Sequence, residues 1–422
     1  MNQMIASGDA PVADISRLPR AARLEGKHAA MVVFSSFPAD PRPRRAAEAL
    51  LKEGMSVDLI CQAEEKLPRS ERSGALNITR LPIRRHRGGA VSYAWEYSAF
   101  IAWSAAILAW RMLRRRYDLV YVHNMPDILV ISALLPKLFG AKVILDQHDP
   151  MPELMMTIFG KDPASPAVRV IRRLEEWSIG RADKVITVNE ACRKIFSARS
   201  CPGEKIAVIM NCPDPEIFPY RDANSYSLPA VDAPFVMMYH GSLIERNGLD
   251  LAVDAVERLI KVIPRSELRV YGHRTPYLEA TIQKASDLGL GEHVRYFGPR
   301  RLEDLSTEIE QCDVGVIPNH RNSFTDINTP TRIFEYLALG KPVIAPSTTG
   351  IRDYFGAEAL FFFESGDYLG LAAAMEYVAS HATEARRVAQ QGQEIYFKHE
   401  WKNERESLVN LVVELLGDEP PN

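Results

Sequence analysis

Short apolar, β-rich runs alternate along the chain with stretches that read as amphipathic helices. In the first half the runs Ala30–Phe34, Val57–Cys61, Leu119–His123, Lys142–Asp146, Lys184–Val188 and Ile206–Met210 predict buried parallel strands. Helical patterns such as Arg44–Glu53, Ile128–Phe139 and Val168–Gly180 fall between them. The stretch from Cys212 to Phe235 is rich in Pro, Asp, Asn and Ser and reads as a linker. The rhythm then restarts. Strands are predicted at Phe235–Tyr239, Leu268–Gly272, Val294–Phe297, Val314–Ile317, Pro342–Ala345 and Ala359–Phe362, with helices over Leu249–Val262, Tyr277–Leu288, Leu302–Gln311, Thr331–Leu339 and Leu369–Ser380. Alternation of this kind specifies two doubly wound α/β domains in tandem, with a ligand cleft expected between them.

The boundaries follow from these runs. Residues 1–27 are polar and predict a disordered leader. A first Rossmann-like domain is expected over 28–215, a linker over 216–232 and a second Rossmann-like domain over 233–395. A last helical pattern within 396–422 comes after the second sheet is complete and is expected to pack back on the first domain. The uncharged run Tyr97–Trp110 has 14 residues, short of the roughly 20 needed to span a bilayer. It reads either as a buried helix of the first domain or, given Trp95, Trp103, Trp110 and the flanking arginines, as an interfacial one.

Composition changes this picture little, whereas charge changes it more. The five cysteines are scattered and form no metal-binding spacing, which fits a reduced, cytoplasmic setting. The net charge of −3 hides an asymmetry: residues 1–232 hold 32 Lys and Arg against 26 Asp and Glu, the remainder 19 against 28. Residues 80–116 contain eight arginines and one acid, Glu96. Such a face is either simply solvated or meets an anionic partner, of which a membrane surface is the one expected here. No nucleic-acid-binding module is present in the basic segment, so nucleic acid is not an expected partner.

Two segments carry candidate chemistry. The first runs from Asn328 to Ala345, with Pro330 and Thr331 at a helix start. First-turn N–H groups and Arg332 suit a phosphate. Glu335 lies three residues further on the same face, where its carboxylate suits ribose hydroxyls. A plain surface ion pair is the competing reading of Arg332 and Glu335. The second segment, Met238–Leu251, is a strand, a loop with Gly241, Ser242, Arg246 and Gly248, then a helix. Gly241 permits close backbone approach and Arg246 suits a phosphate, although many such loops carry glycines for turn geometry alone.

Taken together, these segments resemble the retaining glycosyltransferases of family 4, with the GT-B fold of two Rossmann-like domains facing across a cleft. The likeness extends from Met31 to about Leu416. It includes Phe34–Arg42, Tyr117–Asp127, Asp146–Glu153, Ala182–Val188 and Phe297-Gly-Pro, and is nearest to bacterial members that build surface polysaccharides. It implies transfer from a nucleotide diphosphate sugar, UDP- or GDP-linked, to a glycan or lipid-linked saccharide. It also implies that Glu335 binds the ribose, that Arg332 and the helix start hold the diphosphate, that His123 faces the transferred sugar, and that His148, Asp149 and Glu153 line the acceptor side. His123, Arg332 and Glu335 are then the catalytic candidates. Gly241, Ser242, Arg246, Pro330 and Thr331 complete the donor set.

The sequence departs from the family pattern in two places. Eight residues before Glu335 the family's glutamate is replaced by Ile327, beside Asp326. The phosphate loop lacks both expected cations at Ser242 and Asn247, with Arg246 adjacent to the second. No Asp-x-Asp metal motif is present in the sequence. No metal and no cofactor are therefore expected, and the diphosphate would be held by arginines, N–H groups and a helix dipole. An epimerase or a non-catalytic sugar-nucleotide-binding subunit would use a similar fold. A dinucleotide oxidoreductase would want a glycine-rich turn after the first strand, and Ser35–Arg42 has no glycine.

Overall fold

A computed structural model describes residues 22–65, 67–83, 90–230 and 232–417. The leader expected over 1–27 lies, up to residue 21, outside the described residues, as do Arg84, Arg85 and Arg87 of the basic segment. The chain divides into two compact units. Among the described residues, one comprises 22–210 and 404–417, the other 211–403.

The first unit is built on an eight-stranded sheet of β1 (His28–Ser36), β2 (Ser56–Gln62), β3 (Ser70–Ser73), β4 (Leu76–Leu81), β5 (Leu119–His123), β6 (Lys142–Gln147), β7 (Lys184–Thr187) and β8 (Ile206–Val208). The order is β3-β4-β2-β1-β5-β6-β7-β8, parallel throughout except for β3, which pairs antiparallel with β4. Its helices are α1 (Pro41–Lys52), α2 (Ala90–Met112), α3 (Leu134–Leu138), α4 (Met151–Phe159), α5 (Pro166–Arg181) and α6 (Glu190–Arg199). Helix α1 starts where local chemistry dictates. Asp40 caps it by accepting from the Arg42 amide, and Pro41 occupies the first position, which has no use for an N–H. The single helix expected over Ile128–Phe139 is instead a 3-10 segment, Asp127–Ala133, followed by α3.

The second unit holds a six-stranded parallel sheet of β9 (Phe235–His240), β10 (Ser266–Tyr271), β11 (Val294–Gly298), β12 (Val314–Val316), β13 (Val343–Pro346) and β14 (Phe361–Phe363), in the order β11-β10-β9-β12-β13-β14. Helices α7 (Leu249–Leu259), α8 (Pro276–Asp287), α9 (Leu302–Glu310), α10 (Thr331–Ala338), α11 (Thr349–Arg352), α12 (Tyr368–Ser380) and α13 (Ala382–Lys398) cover it. Leu251, Ala252, Ala255, Val256 and Leu259 of α7 pack with Leu371, Met375 and Val378 of α12 over the apolar face of β9 and β10. Helix α14 (Trp401–Leu416) joins the first unit from Glu404 onward. There the Glu404 carboxylate accepts from the Met210 amide at 2.8 Å, and Glu406 and Asn410 accept from Arg23 at 2.7 and 2.8 Å.

Both sheets reverse their winding once, between β1 and β5 in the first unit and between β9 and β12 in the second. Loops part at such a reversal, so the carboxyl ends of the flanking strands are where ligands bind in folds of this class. In the second unit, helix α10 can approach that point because β12 carries no side chain at Gly315. An ideal Cβ there would lie 2.3 Å from the Tyr336 ring. Tyr336 is buried, and its hydroxyl donates to the Met238 carbonyl at 2.8 Å. Gly315→Ala must therefore push α10 off the sheet. It should destabilise the protein by roughly 1–3 kcal/mol in urea unfolding, the usual scale of overpacking a core. Wild-type stability in that variant would show that α10 is not held by this contact.

Candidate functional site

In the second unit the residues singled out from sequence converge at the reversal point. Pro330 caps α10 and Thr331 opens it. The Arg332 guanidinium reaches back across the sheet end, donating to the His240 carbonyl at 2.8 Å and to the Asn319 side-chain oxygen at 3.2 Å. It also lies over the Tyr239 ring, 4.8 Å from its centre, and against Gly241. Glu335, one turn further, places a carboxylate oxygen 3.3 Å from His240 Nε2. Burial, reinforced by the Arg332 charge, pushes the His240 imidazole well below its ordinary pKa. The ring is thus neutral, and its contact with Glu335 is polar rather than ionic. His240 and Asn319 were not singled out by sequence reasoning. Their signal is position, His240 ending β9 and Asn319 lying in the loop after β12.

The loop from Gly241 to Gly248 is fixed by its own backbone. The Ser242 carbonyl accepts from Tyr239 Oη and Asn247 Nδ2, each at 2.7 Å. Gly248 has φ of 69°, and a Cβ there would lie 2.0 Å from the Pro318 carbonyl oxygen. Only glycine fits such a left-handed, crowded position. The Arg246 guanidinium lies 5.5 Å from the centre of the Phe324 ring. Beyond the ends of β10 and β11, His273, Arg274, Tyr296, Phe297, Gly298 and Pro299 line an open pocket of about 530 Å³. Ile327, at the position of the family's glutamate, is buried. The neighbouring Asp326 carboxylate is engaged by Thr349 Oγ1 at 2.9 Å and Arg321 Nε at 2.7 Å. Asp326 thus braces the loop against α11.

The first unit gathers a separate buried cluster at its own reversal point. Arg42, from the start of α1, grips Asp146 at the end of β6, with Nη2 to Oδ1 at 2.6 Å and Nε to Oδ1 at 3.0 Å. Tyr121 Oη donates to Asp146 Oδ2 at 3.0 Å. His123 Nδ1 lies 3.4 Å from that oxygen and 3.1 Å from His148 Nε2. His123 is fully buried, stacked on Tyr121, and its Nε2 has no hydrogen-bond partner among the described residues. Burial opposes ionisation of Asp146. The Arg42 charge, with the two histidines, overrides it and holds the carboxyl far below the usual range. Burial, reinforced by Arg42 against the pull of Asp146, pushes His148 down to about 3.

His123, Asp146 and His148 bring three potential metal-ligand atoms within 4.8 Å of one another. The donor set does not suit a divalent ion, because Asp146 is already neutralised by an arginine in direct contact. Of the acceptor-side candidates, His148 joins this cluster, and the Asp149 carbonyl accepts from Asn124 at 3.0 Å. Glu153 stands apart: both its oxygens are held by Arg199, at 2.7 and 2.9 Å, and Arg199 also binds the buried Glu175. Such a triad braces α4, α5 and α6. Sequence reasoning missed Arg42, Tyr121 and the Arg199 pairs, whose partners are remote along the chain.

The glycosyl transferase 4-like domain matches residues 39–212, and the glycosyl transferases group 1 domain matches residues 234–381. The chain belongs to the GT-B glycosyltransferases, and its first domain is of the family 4 type. Among curated relatives, a probable glycosyltransferase, WbjE, of Pseudomonas aeruginosa is 23% identical over 56% of this chain and 59% of its own length. A D-inositol 3-phosphate glycosyltransferase of Corynebacterium urealyticum is 23% identical over 87% of this chain and 88% of its own. The chain spans about half the length of the first curated relatives it matches. Among solved structures, sucrose-phosphate synthase of Thermosynechococcus elongatus superposes with a TM-score of 0.74 at 19% identity, covering 93% of this chain and all of that one. HepE of Anabaena, solved with UDP-glucose, gives 0.65 at 15% identity over 92% and 99%. These likenesses show the fold. Among the described residues no helix is long and apolar enough to cross a membrane.

Beside the His123 cluster, Asn124 Nδ2 donates to the buried Asp127 carboxyl at 2.9 Å. Burial, reinforced by Glu175, raises the Asp127 pKa to about 7. An unfolded aspartate titrates near 3.9, so between that value and about 7 the folded state binds the extra proton. This contribution is complete below pH ~4 and is lost as pH rises through ~7. Asp127→Asn keeps an acceptor for Asn124 and removes the titration. In urea unfolding the variant should gain on wild type between pH 5 and pH 8. An equal difference at both values would refute the raised pKa.

Proposed function

We propose that the chain is a retaining glycosyltransferase that takes a sugar from a UDP- or GDP-linked donor and passes it to a glycan or lipid-linked saccharide in surface-polysaccharide synthesis. It would work peripherally at the inner face of the cell membrane. The observation that carries the reading is the seating of Arg332, Glu335 and the start of α10 at the carboxyl ends of β9 and β12. A nucleotide diphosphate suits this arrangement at both ends. The helix start and Arg332 oppose phosphate charge, while the Glu335 carboxylate accepts from ribose hydroxyls. The pocket beyond β10 and β11 adjoins the same sheet edge and offers aromatic rings for a base.

Charge develops on the leaving diphosphate as the donor bond breaks. In this proposal Arg332, Arg246 and the first-turn N–H groups stabilise it, and no metal is required. Breaking the bond on the face that the acceptor hydroxyl attacks retains configuration, with the departing phosphate taking the acceptor's proton. His123, held by its neighbours in the Asp146 cluster, would face the transferred sugar. WbjE and the inositol phosphate glycosyltransferases support the reaction class by their similarity. The solved HepE complexes support a nucleotide-sugar donor.

A panel of UDP- and GDP-linked sugars tests the reading by thermal shift and by donor hydrolysis. One donor should stabilise the protein and be turned over. Glu335→Ala should weaken its binding roughly 10–100-fold, the loss of one or two hydrogen bonds to a charged group. Wild-type affinity would refute the ribose contact. Arg332→Lys and Arg246→Ala should each lower turnover roughly 10–1000-fold, and activity should persist in EDTA. Loss of turnover with chelator, restored by magnesium or manganese, would overturn the metal-free chemistry. Binding without hydrolysis or transfer would leave a sugar-nucleotide-binding subunit.

A further inference from the structure

Helix α2 has its polarity inverted. Between residues 94 and 110 every exposed position is Ala, Ser or Trp. The one charged residue of that stretch, Glu96, is turned inward with Ser104. Trp95, Trp103 and Trp110 are 75%, 61% and 54% exposed. At 100° per residue the second and third indole lie within about 80° of the first around the helix axis, so all three share one face. A helix that faces water carries charges there, which this one lacks.

The apolar surface continues onto neighbouring elements. The 3-10 segment Asp127–Ala133 packs against both α2 and α5, and α3 packs against α2. Leu138, at the end of α3, is 80% exposed, and the following Phe139 is half exposed. On α5, Val170, Leu174 and Trp177 follow one another at helical spacing and are all exposed. This extent exceeds the scattered single apolar residues normal on a protein surface.

Arginines rim the patch. The Arg114 guanidinium sits 3.8 Å over the Trp110 ring, and that of Arg181 lies 5.0 Å from the Trp177 ring. Arg116 follows α2, and Arg169 and Arg173 are exposed on α5. Arg80 and Arg111, counted with the basic segment in the sequence, point elsewhere. Arg80 is buried against Glu71 and the Phe37 carbonyl, and Arg111 binds Thr79 and Asp58.

We infer that the outer face of α2, α3 and α5 is a membrane-docking surface on which the tryptophans and Leu138 enter the headgroup region of an anionic bilayer. This deepens the membrane-face reading proposed above and rests on it. Tryptophan suits such a boundary, with an apolar body and one donor. The rim arginines match anionic headgroups. A second copy of the chain fits less well, because a twofold contact would set arginine rims of like charge against each other.

The test is co-sedimentation of the full chain with phosphatidylcholine vesicles with and without phosphatidylglycerol, together with tryptophan fluorescence. Wild type should bind only the anionic vesicles, with a blue shift, and be released by salt. Trp95→Ser/Trp103→Ser should weaken binding about tenfold or more, and Trp103→Phe should largely keep it. Arg114→Ser/Arg116→Ser/Arg173→Ser should weaken binding and flatten its salt dependence. Circular dichroism and nucleotide binding, measured on every variant, should be unchanged, which separates this surface from the donor site. Wild type that ignores anionic vesicles at low salt overturns the inference. So does a tryptophan variant that binds as wild type does, or a concentration-dependent dimer, abolished in the tryptophan variant, with no vesicle affinity.

Discussion

The reach of Arg332 from the first turn of α10 to the end of β9 organises the second unit. Its guanidinium satisfies the His240 carbonyl and Asn319, where the sheet reverses its winding and the strand ends are bare. That reach depends on how low α10 sits. The Tyr336 ring occupies the space that a side chain at Gly315 would take, and Gly392 of α13 makes comparable room against Leu337. With the helix seated, its dipole, Arg332 and Glu335 all address one point. The neutral state of His240 follows from the same geometry, because burial and the adjacent guanidinium both disfavour its proton.

The first unit uses a different device at the same topological place. A carboxylate, Asp146, is buried and compensated by Arg42, Tyr121 and flanking imidazoles. Breaking one partner would leave an uncompensated interior charge, so the group acts as a unit. Its consequence is a fixed orientation for His123. The Glu153–Arg199–Glu175 triad does similar bracing between α4, α5 and α6. Polar side chains that resemble site residues in sequence therefore serve two ends here, some presented at a strand terminus and some consumed in holding helices together.

Much was legible along the chain because the signals are local. Alternating β and helical periods predict twelve of the fourteen described strands to within two residues, and miss β3 and β4. Pro330 before Thr331 marked the start of α10, and the three-residue spacing from Arg332 to Glu335 put both on one face. The polar strand Ser70–Ser73 was not legible. An edge strand whose four residues are all polar has no apolar alternation to reveal it.

What only the tertiary structure decided are relations between residues distant in sequence. Arg42 and Asp146 are 104 residues apart, and nothing in either neighbourhood selects the other. Glu153 is a site candidate in the sequence, and nothing near it announces that Arg199, 46 residues later, holds both its oxygens. Helix α2 shows the limit most clearly. A helix uncharged around most of its circumference has no period to say which side faces the core. Packing settled this by burying Glu96, Phe100 and Leu108 and leaving the tryptophans outside. Sequence by itself determined most of the strands, their order and the start of α10, since each depends on neighbours a few residues away. The partners of buried charges and the exposed side of an apolar helix depend on which surfaces meet, and that is fixed only when the chain folds.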